Sequence, residues 1–287
     1  MYKDLYAFLN IDHLFTAWEC AIGRMASAGI YSNGYGISNW LYGRLQTLKY
    51  EPTNRYVLDE FRLETIRQKD FQHQVSRLKG LYFFENKEDA FRAHASWGSD
   101  FSLQYICKIR FLCNNFCKVD SSWITNCLGA EDGSWMKHYW NGESYDDNPL
   151  YEIIAEGIGY ILEPLEVRKE AYKLFFEYQN TSTPLRSISC CAFSRGFNNI
   201  SRIVPYLYIK DNKLNGSYII DMETLDNYES EIGKVVDDCI KKNELPSACL
   251  PKDENIVFTL PDLSEYNFTL ELTDTEFRDI QPHFTPR

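Results

Sequence analysis

The usual strong signatures of catalysis are missing from this chain: there is no GxGxxG, P-loop, HExxH or G-x-S-x-G. Its five histidines, His13, His73, His94, His138 and His283, make no pair at metal-binding spacing. What the chain offers is polar residues in an aromatic frame: Asn39-Trp40, Ser76-Arg77, Tyr139-Trp140, and Glu152 and Glu156 between Pro149 and Gly157. A carboxylate can stabilise a developing positive charge, and a guanidinium fork suits phosphate. Each residue also has a plainer reading. Glu152 and Glu156 are four apart and would share one exposed face of a helix. Ser76 would cap a loop before a strand, Arg77 would pair with Glu85 or Asp70, and Trp140 would fill core.

These residues must be positioned by elements readable from periodicity. Residues 4–9 read as a strand, and 14–28 as a helix with Leu14, Trp18, Ala21, Ile22 and Met25 on one face. A helix over 54–69 turns Val57, Leu58, Phe61 and Ile66 inward and leaves Glu60, Arg62, Glu64 and Arg67 mostly to water. A strand at 78–84, a helix at 86–97 and strands at 103–112 and 157–162 follow. Beyond Pro164 the pattern gives helices at 166–178 and 185–196. Next comes a hairpin of 203–209 and 216–221 across Asp211-Asn212, then a helix at 223–242. The tail carries two β-rich pieces, Ile256–Leu260 and Tyr266–Leu272. The expected architecture is an α+β domain over 1–165 with a C-terminal α+β extension over 166–287.

Composition narrows the classes. Aromatics make up 15% of the 287 residues, enough ring surface to exclude wholesale disorder. The net charge of −11 excludes a global positive field for nucleic acid or anionic lipid. No run of about 18 apolar residues predicts a membrane span. Nine scattered cysteines and an N-terminus unlike a signal peptide lead to the expectation of reduced thiols in the cytoplasm. Cys107, Cys113, Cys117 and Cys127 lack paired zinc-knuckle spacing and read as buried small hydrophobes, so no metal is expected.

The order of the motifs resembles a family of bacterial ADP-ribosyltransferase-like proteins over residues 1–165. That family has a helix of the form RxLxxExxR, set here against Phe61-Arg62-Leu63-Glu64-Thr65-Ile66-Arg67. A Pro-Ser-Arg-Leu turn then enters a strand; here it reads Val75-Ser76-Arg77-Leu78, without the proline. A YWxG segment, Tyr139-Trp140-Asn141-Gly142, precedes a Glu ahead of a Gly. The resemblance implies a split mixed sheet that binds NAD. Glu152, ahead of Glu156, would be the catalytic carboxylate, and Ser76 the hydroxyl that holds it. Arg77 would contact the pyrophosphate, with Asn39, Trp140 and one of Tyr6 or His13 as further cofactor contacts. The likeness extends to toxins of phage-defence toxin–antitoxin–chaperone systems, which implies a single-stranded RNA acceptor and a protein antitoxin. Two other readings stand beside it: an NAD glycohydrolase or protein-modifying transferase on the same fold, and a non-catalytic aromatic-cleft binding protein. The stretch with Arg186, Arg195, Arg202, Asn198 and Asn199 is either a local groove for RNA or a solvated helix face.

Overall fold

The computed structural model describes residues 1–30, 36–51, 53–97, 103–178, 183–244 and 262–284. The chain is α+β. Its first sheet runs in the order β1 (Tyr2–Phe8), β4 (Ile106–Asp120), β5 (Tyr151–Glu163), β2 (Arg24–Ala26), with β3 (Leu81–Phe83) also on β5. Its pairings are antiparallel throughout, which corrects the expected mixed sheet. β2 pairs with Ile158 to Tyr160 and β3 with Ile153 to Ala155, so the two short strands follow one another along one edge of β5. Just past β3, Phe84 exchanges both backbone hydrogen bonds with Tyr6, at 2.9 and 2.7 Å. The sheet thereby curls back towards β1.

That curl needs a sharp bend, and register shifts between Lys108 and Ile109 and between Cys113 and Asn115 supply it. Cys107, Ile109, Phe111 and Cys113 pack into the main core. Past the second shift, Cys117 and Val119 pair with Ile154 and Glu152 and pack into a different cluster. Gly157 sits opposite the bend with φ of 149°, and a Cβ there would lie 2.0 Å from the Leu112 carbonyl oxygen. Gly157→Ala is therefore expected to cost more than about 1 kcal/mol, read from the denaturation midpoint at unchanged slope.

Helices cover both faces. α1 (Leu14–Ile22), α7 (Leu165–Tyr178) and α8 (Thr183–Ser194) lie together on one side. α3 (Asp59–Asp70) and α6 (Trp135–Trp140) cover the other around Leu63, Val75, Trp140 and Ile154. α2 (Asn39–Thr47), α4 (Lys87–Trp97) and α5 (Ser122–Cys127) fill the connections. A second antiparallel sheet holds β6 (Arg202–Lys210), β7 (Lys213–Asp221) and β8 (Phe268–Glu271). Asp211 and Asn212, at φ of 53° and 59°, make the two-residue turn between β6 and β7, as expected of residues that tolerate the left-handed region. α9 (Glu223–Asn227), α10 (Glu229–Lys241) and α11 (Asp274–Ile280) complete the described elements.

The anticipated boundary at 165 falls at the turn into α7, and one hydrophobic cluster crosses it from Leu5 to Ile280. The Trp18 indole donates to the Ser201 carbonyl at 2.8 Å, and Arg24 Nη1 to the Asn198 and Ile200 carbonyls, both at 2.9 Å.

Several expected elements are corrected. The helix over 14–28 ends at Ile22, because Gly23 takes the left-handed conformation (φ 88°) that closes helices, and the chain continues as β2. The helix over 223–242 is broken at Tyr228. The strand over 157–162 begins six residues earlier, so Glu152 and Glu156 ride on β5 and not on a helix. Ile256–Leu260 lies outside the described residues. No described helix is long and apolar enough to cross a membrane.

Candidate functional site

The site is built on α3. Glu60, Leu63, Glu64 and Arg67 recur at i, i+3, i+4 and i+7, the spacing of a buried helix stripe, yet three of the four are charged. Glu60 and Glu64 are buried, which corrects the expectation that they face water. Burying a carboxylate is costly unless it is paired and hydrogen-bonded, and the loop 71–80 supplies the partners.

In the deeper layer, Arg77 donates to Glu60 with two prongs, Nε at 2.7 Å and Nη2 at 2.9 Å. Its Nη1 reaches Glu152 Oε1 at 2.6 Å and the Tyr139 hydroxyl at 2.5 Å, and that hydroxyl donates to the same carboxylate oxygen at 2.9 Å. The Tyr82 hydroxyl donates to the Arg77 carbonyl at 2.6 Å, and its ring lies 4.9 Å from the guanidinium carbon. Two carboxylates thus share one guanidinium inside the protein. Burial pushes the Glu152 carboxyl above its ordinary value, with Arg77 and the Tyr139 hydroxyl pulling the other way. The native chain then holds the Glu152 proton more tightly than the unfolded chain, whose reference value is 4.5. That contribution is present below pH 4.5 and is lost as pH rises through the folded value. Stability measured against pH from 4 to 7 is expected to fall less steeply with rising pH in Glu152→Gln than in wild type.

The upper layer opens to solvent. The Ser76 hydroxyl donates to Glu64 Oε2 at 2.9 Å, and Arg67 grips both oxygens of the same carboxylate at 2.9 and 2.8 Å. Arg67 is held in turn by the Gln74 carbonyl at 2.8 Å. Beside this group lies a pocket of about 300 Å³, lined by Glu64, Arg67, Ser76, Lys79, Asn115 and Glu156 together with Gln68, Gln72 and Gln74. That volume sits at the lower end of small-molecule sites. Among the described residues Glu156 has no hydrogen-bond or ion-pair partner, although Arg67 is near enough to feel its charge. Gly29 presses against it, since a Cβ at residue 29 would stand 2.5 Å from Glu156 Oε1. A pocket carboxylate with free lone pairs, beside a second one held by a serine and an arginine, can accept from the hydroxyls of a sugar.

Of the residues singled out from sequence, Ser76 and Glu156 meet at this pocket. Glu152 and Arg77 lie in the buried layer, where Arg77 is engaged by Glu60, Glu152 and Tyr139 and does not line the pocket. The carboxylate that Ser76 holds is Glu64, not Glu152. Trp140 is wholly buried, its indole donating to the Leu63 carbonyl at 3.0 Å, and is core. Tyr6 is tied to Phe84 on the far strand, and Asn39 begins α2 beside Glu19 and Arg202. His13 packs among Phe15, Tyr42 and Tyr266, and burial lowers its pKa to about 4, with Gln46 pulling the other way. None of these three lines the pocket. Sequence reasoning did not take Glu60, Glu64, Arg67 or Lys79 as site residues, although Glu64 and Arg67 stand in the helix motif of the family resemblance. The signal was the charged stripe of α3, spaced for burial.

The basic stretch of the second half is divided: Arg195 and Asn198 are exposed, while the other two arginines are not. Arg186 and Arg202 are buried, the first over the Tyr172 ring at 3.6 Å and the second on the Ser27 carbonyl at 2.5 Å. Arg195 is paired with Glu244 at 3.3 Å. The described cysteines are free thiols, and Cys107, Cys113 and Cys117 are buried on β4. Among the described residues, no group of three or more His, Cys, Asp or Glu side chains is placed to hold a metal ion.

No curated protein matches the chain. A family model described as a protein of unknown function (DUF2441) matches residues 33–167. That stretch is just under half of the chain and contains every residue lining the pocket and the buried cluster around Arg77.

Proposed function

We propose that the chain is an ADP-ribosyltransferase that consumes NAD and modifies a macromolecule, with Glu156 as the carboxylate that meets the substrate. The observation that carries this reading is Glu156, without a hydrogen-bond partner among the described residues, in a pocket beside the Ser76–Glu64–Arg67 group. Breaking the N-glycosidic bond of NAD releases nicotinamide with the bonding electron pair and leaves positive charge on the ribose. A carboxylate accepting from a ribose hydroxyl strengthens its hold as that charge appears, which is the differential binding that accelerates a reaction. The residues present suit the nicotinamide–ribose half of NAD. Glu156 accepts from hydroxyls, Glu64 is held beside it by Arg67, Ser76 and Gln68, and Arg67 and Lys79 supply positive charge at the rim. Arg77 is engaged in the interior, and Arg67, paired with Glu64 and the Gln74 carbonyl, contributes its charge beside the pocket rather than a free fork.

The acceptor in this reading is single-stranded RNA, whose base edges are reachable only outside an A-form helix. It rests on the likeness to toxins of phage-defence systems, which also supplies the antitoxin as a neutralising partner and the cytoplasm as the place of action. Purified protein mixed with NAD and a cell extract tests the proposal. Release of nicotinamide together with labelled RNA is the expected result. Nicotinamide release with no labelled macromolecule would make the chain a glycohydrolase, and label on protein alone would move the acceptor. No release at all would sink the reading.

A further inference from the structure

α3 has a second face with its own contacts. Phe61 and Thr65, one turn apart, lie away from the Glu60–Glu64 stripe. Phe61 is fully buried against the rings of His283 and Phe284, at 5.6 and 6.0 Å between centroids. Thr65 Oγ1 lies 3.1 Å from His283 Nε2. Just before α3, Arg55 grips Glu276 with two prongs, at 2.6 and 2.5 Å, and donates to the Glu271 carbonyl at 3.0 Å. Glu276 is held ready by the capping box that begins α11. Its carboxylate accepts from the Thr273 backbone at 2.8 Å, while the Thr273 hydroxyl accepts from the Glu276 backbone at 3.3 Å.

We infer that residues 273–284 act as a strap that sets the position of α3 and therefore of Glu64 in the pocket, with Arg55 and Glu276 as its positioning residues. The physical reason is the character of the inner face. Two buried carboxylates and a half-buried arginine gain hydration if α3 moves outward, so a helix with this stripe needs cover on its back. Phe61, its ring contacts and the Arg55–Glu276 fork supply that cover. The strap lies outside the family-matched stretch 33–167, so the C-terminal extension provides what the matched stretch lacks.

This inference rests on the proposed function only for the use of the pocket, and its test separates the two. Arg55→Glu, Glu276→Arg, the doubly reversed pair and the milder Glu276→Gln are compared in the full chain. Two quantities are read for each: amide hydrogen exchange over residues 59–70, and the dissociation constant for NAD. Each single reversal is expected to speed exchange in α3 about tenfold over the rest of the protein and to weaken NAD binding about fivefold to tenfold. The double reversal should recover part of both, because the ion pair returns while the acceptor for the Thr273 backbone and the donor to the Glu271 carbonyl stay lost, and Glu276→Gln should be milder than either single reversal. Unchanged α3 exchange in the single variants would overturn the strap. So would an equal rise in every element, which marks a general stability role. If wild type binds no NAD, the proposed function fails while the exchange arm still decides for or against the strap.

Discussion

Glu156→Gln is expected to lower NAD-dependent transfer by a factor on the order of 10²–10³, the usual consequence of removing one well-placed electrostatic stabiliser. The amide keeps the shape but supplies no charge to the ribose. Because Glu156 has no described hydrogen-bond partner, the substitution should leave the melting temperature near that of wild type. Glu152→Gln makes the contrast. Its oxygen would still accept from Arg77 and Tyr139, and the residue does not line the pocket, so its effect on transfer should be much smaller. Nicotinamide release measured at saturating NAD decides between them. The reverse ranking, with activity lost in Glu152→Gln and kept in Glu156→Gln, would return the catalytic role to the buried carboxylate.

Arg77→Met should be the most destabilising of the substitutions considered. It removes the single cation from between Glu60 and Glu152, both buried, and breaking a buried pair in this way costs about 3–5 kcal/mol. At about 2–4 °C per kcal/mol for a chain of this class, the melting temperature should fall by about 6–20 °C. The triple variant Arg77→Met, Glu60→Gln, Glu152→Gln should regain part of that loss, since no unpaired charge is left inside. A melting temperature within about 2 °C of wild type for Arg77→Met would contradict the account of the buried layer.

The sequence carries the fold more openly than the site. The β6–β7 hairpin is readable because Asp211 and Asn212 are residue types that accept positive φ. α3 and α4 are readable as helices, although the helix expected from residue 54 is a 3-10 turn over Arg55–Leu58 and α3 itself begins at Asp59. The face of α3 is not: hydrophobic periodicity assigns Glu60 and Glu64 to water, and only the folded loop around Ser76 and Arg77 shows why charge is tolerated inside. Glu152 and Glu156 look alike four residues apart. On β5 they do share a face, but the sheet buries one beneath α3 and α6 and leaves the other at the pocket. α2, α5 and α6 are short, and their residues are placed by tertiary contact more than by local preference. The bend of β4 at Cys113, which separates two cores, has no local sequence signal of its own.

The carbonyl groups that receive Trp18 and Arg24 come from residues 198 to 201, and the strap over α3 ends at residue 284. During synthesis the N-terminal half leaves the ribosome well before these partners exist. At about 5–20 residues per second, the interval lasts several seconds to some tens of seconds. Throughout it, Trp18 and Arg24 lack these carbonyl acceptors and α3 lacks its contacts with residues 276–284. The contacts of α1 and α3 with residues 198–284 can therefore form only after that later stretch has been made. For an activity directed at a cell's own nucleic acid, translation itself would then provide a delay in which a partner could meet the emerging chain.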